Sequence, residues 1–270
     1  MPDDIAQLFA ETLAGDYDDD APWKAIHKLR QIGSRAVFDM AERWLTAPEA
    51  MKRARAAEVL AQLGVGANRP HAFPDAAGDL LAARADADAD PRVRASALTG
   101  LGHIALPRTL PAILRAGTDE SALVRHAVAF ALGSFGSIAE AQTCLLTLMR
   151  DPDEDVRDWA TFGLGQLSDA DSTEIRDAFA QLLDDPFIDV RVEAMAGLAK
   201  RRDARVVAPL IGQLENLPEG LNGVIEAGLA WLGMKDMPPG WTAQDLAGAL
   251  RRGEDNVVPF RRSEPRRDRA

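Results

Sequence analysis

The side chains that could do chemistry are few and scattered. Histidine occurs only at His27, His71, His103 and His126, with no H-x-x-x-H spacing and no His-Glu pair, so the pattern that places two ligands on one helical face is missing. No Gly-rich phosphate loop, no G-x-S-x-G elbow and no cysteine cluster is present. Cys144, the only cysteine, lies in the apolar run CLLTLM, reads as a small buried thiol and cannot form an internal disulfide. No cofactor or metal is expected. What recurs instead is Arg and Asp at fixed spacing, the chemistry of ion pairs and helix caps, together with three large aromatics, Phe130, Trp159 and Phe162, which suit apolar recognition.

The recurring frame is clearest in DPDEDVRDWATFGLGQL, residues 151–167, where an Asp-Pro turn precedes Val156, Arg157, Ala160, Leu164 and Leu167 at helical spacing. Arg94 with Ala97, Leu101 and Ile104 repeats it, as do Arg125 with Val128, Leu132 and Phe135, and Arg191 with Ala194 and Leu198. Weaker copies start at Pro22, Arg53 and Asn222. The anchors 22, 53, 94, 125, 157, 191 and 222 are mostly 31 to 34 residues apart, room for two short helices and two turns. The exception is a 41-residue interval that holds VGANRPHAFPDAAG, an insertion between the second and third copies.

These elements must position the side chains above. First helices are expected at 2–14, 35–46, 74–85, 107–117, 138–150, 172–184 and 204–215, and second helices at 22–32, 48–63, 91–104, 121–135, 153–167, 187–200 and 218–232. Several open with Pro, whose missing N–H costs nothing in a first turn, and Gly64, Gly136 and Gly233 suit the left-handed residue that ends a helix. Repeats then run near 1–33, 34–64, 73–105, 106–136, 137–168, 171–201 and 203–233. A capping helix covers 241–251, and a basic tail at 252–270 is expected to be disordered.

The pattern D-x-D-x-x-V-R-x-x-A-x-x-x-L-G, carried by Asp151, Asp153, Val156, Arg157, Ala160, Leu164 and Gly165, resembles HEAT-type repeats of the short bacterial, phycobilin-lyase type. The resemblance covers roughly residues 1–233. It implies an all-α, right-handed solenoid of about seven helix pairs, in one continuous domain over 1–251. It also implies a structural ladder in which Arg94, Arg125, Arg157 and Arg191 reach Asp88, Asp119, Asp151 or Asp185 in their own or a neighbouring turn. Helix capping is the alternative role for Asp90 and Asp153.

Such arrays place their second helices on the concave side. Positions two, five and nine after each anchor point away from the apolar stripe and would form that face. Its centre carries Phe130, Trp159 and Phe162, an apolar floor edged by Asp158, Glu193, Arg55 and Lys200, and tight burial between helices is the alternative. The expected function is a non-enzymatic scaffold or adaptor that holds a peptide or helix of a protein partner there. Alternatives are an accessory subunit or lyase acting on a bound protein, and a HEAT-like DNA glycosylase, for which Asp155, Asp158 and Trp159 would supply the residues.

Composition narrows these readings. Aromatics are 6% of the chain and β-branched runs are scarce, which disfavours strands. The formal charge is −11. Residues 251–270 hold seven Arg against four acids, leaving −14 on residues 1–250, a body that repels phosphate backbones. The acidic start lacks a signal peptide's basic and apolar segments, and no run approaches the roughly 18 apolar residues of a membrane span. A monomeric cytoplasmic protein is expected.

Overall fold

A computed structural model describes residues 5–16, 19–216 and 222–254. The expected tail at 252–270 therefore lies almost wholly outside the described residues. Among them the fold is all-α: fifteen α-helices, no strand, and one isolated bridge between Gly66 and Arg69 inside the insertion. The chain divides into two compact units, Met1–Ala178 and Phe179–Ala270, where the sequence suggests one continuous array. The division falls within the helix Thr173–Leu182.

In the first unit, first helices α1 (Ile5–Glu11), α3 (Arg35–Trp44), α5 (Pro74–Ala87), α7 (Leu110–Arg115) and α9 (Ala139–Leu148) alternate with second helices. The latter are α2 (Asp20–Ile32), α4 (Ala50–Ala61), α6 (Pro91–Ile104), α8 (Ala122–Gly133) and α10 (Glu154–Gly165). Each second helix packs on its own first helix and on the neighbouring second helices of the unit, α2 on α4, α4 on α6, α6 on α8 and α8 on α10, the nearest-neighbour pattern of a solenoid. Ile26, Leu29, Leu60, Leu63, Leu98, Leu101, Val128, Leu132 and Leu164 are fully buried in the layer between.

The second unit holds α12 (Ile188–Lys200), α13 (Val207–Glu215), α14 (Asn222–Leu232) and α15 (Ala243–Glu254), with α11 (Thr173–Leu182) crossing the division. Helix α12 packs on α14, and α15 packs on α13 and α14 through buried Leu246, Ala247 and Leu250, the place expected of a cap.

The turns carry the Arg–Asp chemistry. Arg94 donates from Nε and Nη2 to both oxygens of Asp119 at 2.9 and 2.8 Å, and from Nη1 to the carbonyls of Asp88 and Ala89 in its own turn. Arg125 repeats this with Asp151 at 2.6 and 2.8 Å, and Arg53 with Asp88 at 2.7 and 2.9 Å. Arg53 is thus a rung that the stricter frame leaves out. Each of these arginines clamps its own turn and the carboxylate of the next repeat. Arg157 and Arg191 grip their own turns in the same way, donating to the carbonyls of Asp151 and Pro152 and of Asp185 and Pro186. Asp90 and Asp153 cap helices, accepting from the N–H of Arg92 and from those of Asp155 and Val156.

Burial alone would raise the Asp88, Asp119 and Asp151 carboxyls, but bonds from the arginines and from backbone N–H groups outweigh it and hold all three below the usual carboxylate range. A carboxylate with a depressed folded pKa contributes stability that is complete above its unfolded value, about 3.9, and is lost as pH falls through the folded value. Urea unfolding monitored from pH 7 downward should therefore show little change in this contribution to about pH 5, then a steep loss. An Asp88→Asn/Asp119→Asn/Asp151→Asn variant should start weaker and lose less on acidification. An identical acid profile would remove the ladder from the explanation.

Two local expectations change. The single helix expected over 107–117 is a 3-10 turn (Pro107–Thr109), a short α-helix and a second 3-10 turn (Ala116–Thr118). Pro111 cannot donate to the carbonyl of Pro107 and its ring crowds that group, so regular α-helix cannot run through from 107. Gly64 and Gly233 have the expected left-handed φ of 82° and 71°, but Gly136 does not. Glycine at 136 is explained by proximity instead, because a Cβ there would stand 2.9 Å from Cβ of Ser168, whose hydroxyl donates to the Gly136 carbonyl at 2.6 Å.

Candidate interaction site

The second-helix face of the first unit carries a continuous run of aromatic rings. Trp159 and Phe162, three residues apart on α10, meet edge-on with centroids 5.6 Å apart. Phe130 of α8 meets Trp159 at 5.3 Å, and His103 of α6 meets Phe130 at 5.1 Å. His126 adds a second edge contact to Trp159 at 5.7 Å. Phe130, Trp159 and Phe162 are half-buried: each ring is held by its neighbours and keeps part of its surface in solvent. The structure thus brings together three of the expected site residues, and Asp158, also half-buried, lies beside them in sequence on α10. Glu193 and Lys200 are on α12 in the second unit, half-buried and exposed respectively.

Arg55 requires correction. Expected on the rim of the partner site, it is 1% exposed, paired with Glu58 at 2.9 Å and set over the Trp23 ring at 5.6 Å. Ser96 and Ala127, at the same position two residues after the anchor, are also buried. The cause is how closely the second helices stack. A Cβ on Gly102 would collide with Ala131 of α8, and one on Gly100 would crowd Leu81 and Ala61, so in α4, α6 and α8 this position is pinched between helices, whereas Trp159 of α10 stays partly open. A helical-wheel reading allows for one buried stripe, whereas these helices contact a first helix and two second helices.

Beside the aromatic run, α2, α4, α6 and α8 enclose a cavity of about 500 Å³ lined by Trp23, Arg30, Glu58, Arg92, His103 and Leu123 among others. Sequence reasoning missed Trp23, Arg30 and Arg92: the first two stand two turns apart on one face of α2, and Arg92 comes from α6, two repeats further along. Glu58 is buried; Oε2 accepts from Arg55 at 2.9 Å and Oε1 from the Ser96 hydroxyl at 3.2 Å. Arg30 donates twice to the Glu58 backbone carbonyl, at 3.0 and 2.7 Å, and once to Gln62 Oε1 at 3.0 Å. Gln62 in turn contacts the His103 ring at 3.0 Å. Lost hydration first, and then the charge of Arg30, push the His103 pKa down, so the ring is neutral at pH 7.

The remaining histidines do not form a site. His71, in the insertion, donates from Nε2 to the Leu60 carbonyl at 2.7 Å and accepts the Phe73 N–H at Nδ1, which ties the insertion to α4. Among the described residues no group of three or more His, Cys, Asp or Glu is placed to hold a metal ion. Nor is any described helix long and apolar enough to cross a membrane.

The repeated clamp and the stacked pairs agree with a comparison of the sequence to known families. The family of HEAT repeats matches residues 78–165 and 144–230, more than half of the chain. The chain belongs to the HEAT-repeat family. Protein YibA of Escherichia coli (strain K12) is 39% identical over 97 residues, which cover 36% of this chain and 34% of YibA. The chain thus spans about a third of the length of the curated relatives it matches. The X-ray structure of E. coli YibA superposes with a TM-score of 0.70 at 24% identity, covering 93% of this chain and 92% of that one. An archaeal HEAT-like repeat protein from Thermococcus onnurineus NA1 gives 0.52 at 14% identity, over 93% and 99% of the two chains. At these identities the structural likeness concerns the HEAT fold, an all-α solenoid.

Proposed function

We propose that this HEAT-repeat protein is a non-enzymatic adaptor, monomeric and cytoplasmic, that binds a peptide or helix of a protein partner on its second-helix face. The observation that carries this reading is the run His103, Phe130, Trp159, Phe162, in which rings from three successive repeats are fixed edge to face and remain partly open to solvent. Rings pre-ordered by one another lose little freedom on binding, and aromatic anchors dominate interface energetics. HEAT repeats also support other activities, so the fold by itself does not select this one.

The test uses a random-peptide library displayed on phage, panned on wild-type protein and on a Phe130→Ala/Trp159→Ala/Phe162→Ala variant with wild-type circular dichroism. Clones selected on wild type should bind the variant at least about ten-fold more weakly, as expected when hot-spot aromatics are truncated. Equal binding to both proteins would place the site elsewhere. A failure to enrich any clone would count against peptide recognition.

A further inference from the structure

The cavity next to the aromatic run has a chemical preference of its own. Its lining holds two guanidiniums, Arg30 and Arg92, and one carboxylate, Glu58. That carboxylate is already engaged on both oxygens, by Arg55 behind the wall and by Ser96. The three hydrogen bonds of Arg30 all end on neutral oxygens. Burial lowers the Arg30 pKa and Glu58 only partly opposes this, so a desolvated positive charge faces the cavity and, among the described residues, no carboxylate is hydrogen-bonded to it. Arg92 stands exposed in the first turn of α6. The rest of the wall combines the apolar Trp23, Ala61, Ala95, Ala127 and the exposed side of Leu123 with the uncharged polar Ser96 and Thr99 and the ring of His103.

We infer that this cavity takes the acidic anchor of a bound peptide: a Glu or Asp side chain between Arg30 and Arg92, with an adjacent apolar side chain against Trp23 and Leu123. The inference rests on the second-helix face being the peptide site, and it names the chemistry that this site selects. A volume of about 500 Å³ lies within the usual range of ligand pockets, about 300–1,000 Å³, and suits a pair of side chains. The chain's negative charge does not forbid an acidic ligand, because charges farther away than about 8 Å are screened at physiological salt while the two guanidiniums would be in contact. A cationic side chain is disfavoured twice, by those guanidiniums and by the prior engagement of Glu58. Arginine suits the role geometrically, since its planar fork matches a carboxylate.

The experiment measures fluorescence anisotropy of labelled heptapeptides, blocked at both ends, with Phe-Glu, Phe-Gln or Phe-Lys at the centre of an otherwise Ala/Gly sequence. The Glu peptide should bind at least about ten-fold more tightly than the Gln peptide, as for loss of a charged hydrogen bond. Arg92→Glu should remove that preference. This variant keeps the Asp90 cap, which bonds the backbone N–H of residue 92, and a carboxylate in a first helical turn is favourable, so the fold should persist. Tighter binding of the Lys peptide, or no discrimination between Glu and Gln, would overturn the inference. So would preferential binding of short oligothymidylate over the Glu peptide, which would mark a phosphate site. The Phe130→Ala/Trp159→Ala/Phe162→Ala variant separates the two readings. Peptides lost from that variant but indifferent to Arg92→Glu leave the aromatic face standing and overturn the acidic anchor; peptides that depend on Arg92 but not on the aromatics do the reverse.

Discussion

Asp119→Ala should destabilise the first unit by about 3 kcal/mol, the scale expected when one partner of a largely buried ion pair is removed and the other is left behind. Both side chains are about 14% exposed or less, so water can rescue the stranded Arg94 only in part. The loss is more than one pair, because Asp119 also accepts the Ser121 N–H at 2.9 Å and so orders the turn before α8. Asp119→Asn should cost less, since an amide oxygen can still accept from that N–H. Stability in a repeat array is distributed among neighbours, so the readout is hydrogen exchange resolved along the chain together with urea unfolding. Amides of α6 and α8 should exchange faster, while those of α13 to α15 stay close to wild type. Uniform protection in the variant, or a change below about 0.5 kcal/mol, would show that the rung holds little.

The second large effect is steric. A Cβ on Gly102 would lie 2.7 Å from Cα and 3.1 Å from Cβ of Ala131, and 3.2 Å from the Phe130 ring. Backbone cannot swing aside as a long side chain can, so Gly102→Val should push α8 away from α6 at a cost of about 3 kcal/mol, the upper part of the usual range for overpacking. The same shift would displace Phe130 and weaken peptide binding without touching a contact residue. Gly212→Ala is the control. It sits in α13 with nothing within 4 Å of its would-be Cβ, so the gain in helix propensity, up to about 1 kcal/mol, has nothing to oppose it. Thermal unfolding of both variants gives the comparison: a drop for the first and a small rise for the second. A Gly102→Val protein as stable as wild type would mean that α6 and α8 are not in close contact.

These two sites differ in how well the sequence announces them. The ladder is legible because both partners recur at constant offsets, with Asp88, Asp119 and Asp151 each six residues before an arginine that clamps the same turn. The helix pairs are legible for the same reason, apart from the region around Pro111, where a local steric rule overrides the repeat. The partner face is only half legible. Phe130, Trp159 and Phe162 stand out as large aromatics at outward positions, and the structure does set them side by side. Arg55 stands at an equally outward position and is buried, because single-helix geometry does not know how close the next helix comes. Glycine at 100 and 102 was the available signal. The cavity was less legible still: the spacing of Trp23 and Arg30 puts them on one face of α2, but only stacking brings them to Arg92 of α6.

The arginine clamp also bears on how such a chain can be inherited. The Arg53, Arg94 and Arg125 rungs have the same two ends, an own-turn grip and a forward grip on the next carboxylate, and the successive carboxylates Asp88, Asp119 and Asp151 are 31 and 32 residues apart. Excising residues 89–119 would join Asp88 directly to Glu120 and leave Arg53 its forward acceptor and Arg125 its turn. Unequal recombination at these turns would therefore lengthen or shorten the array by whole repeats while keeping the Arg–Asp clamp across the new joint.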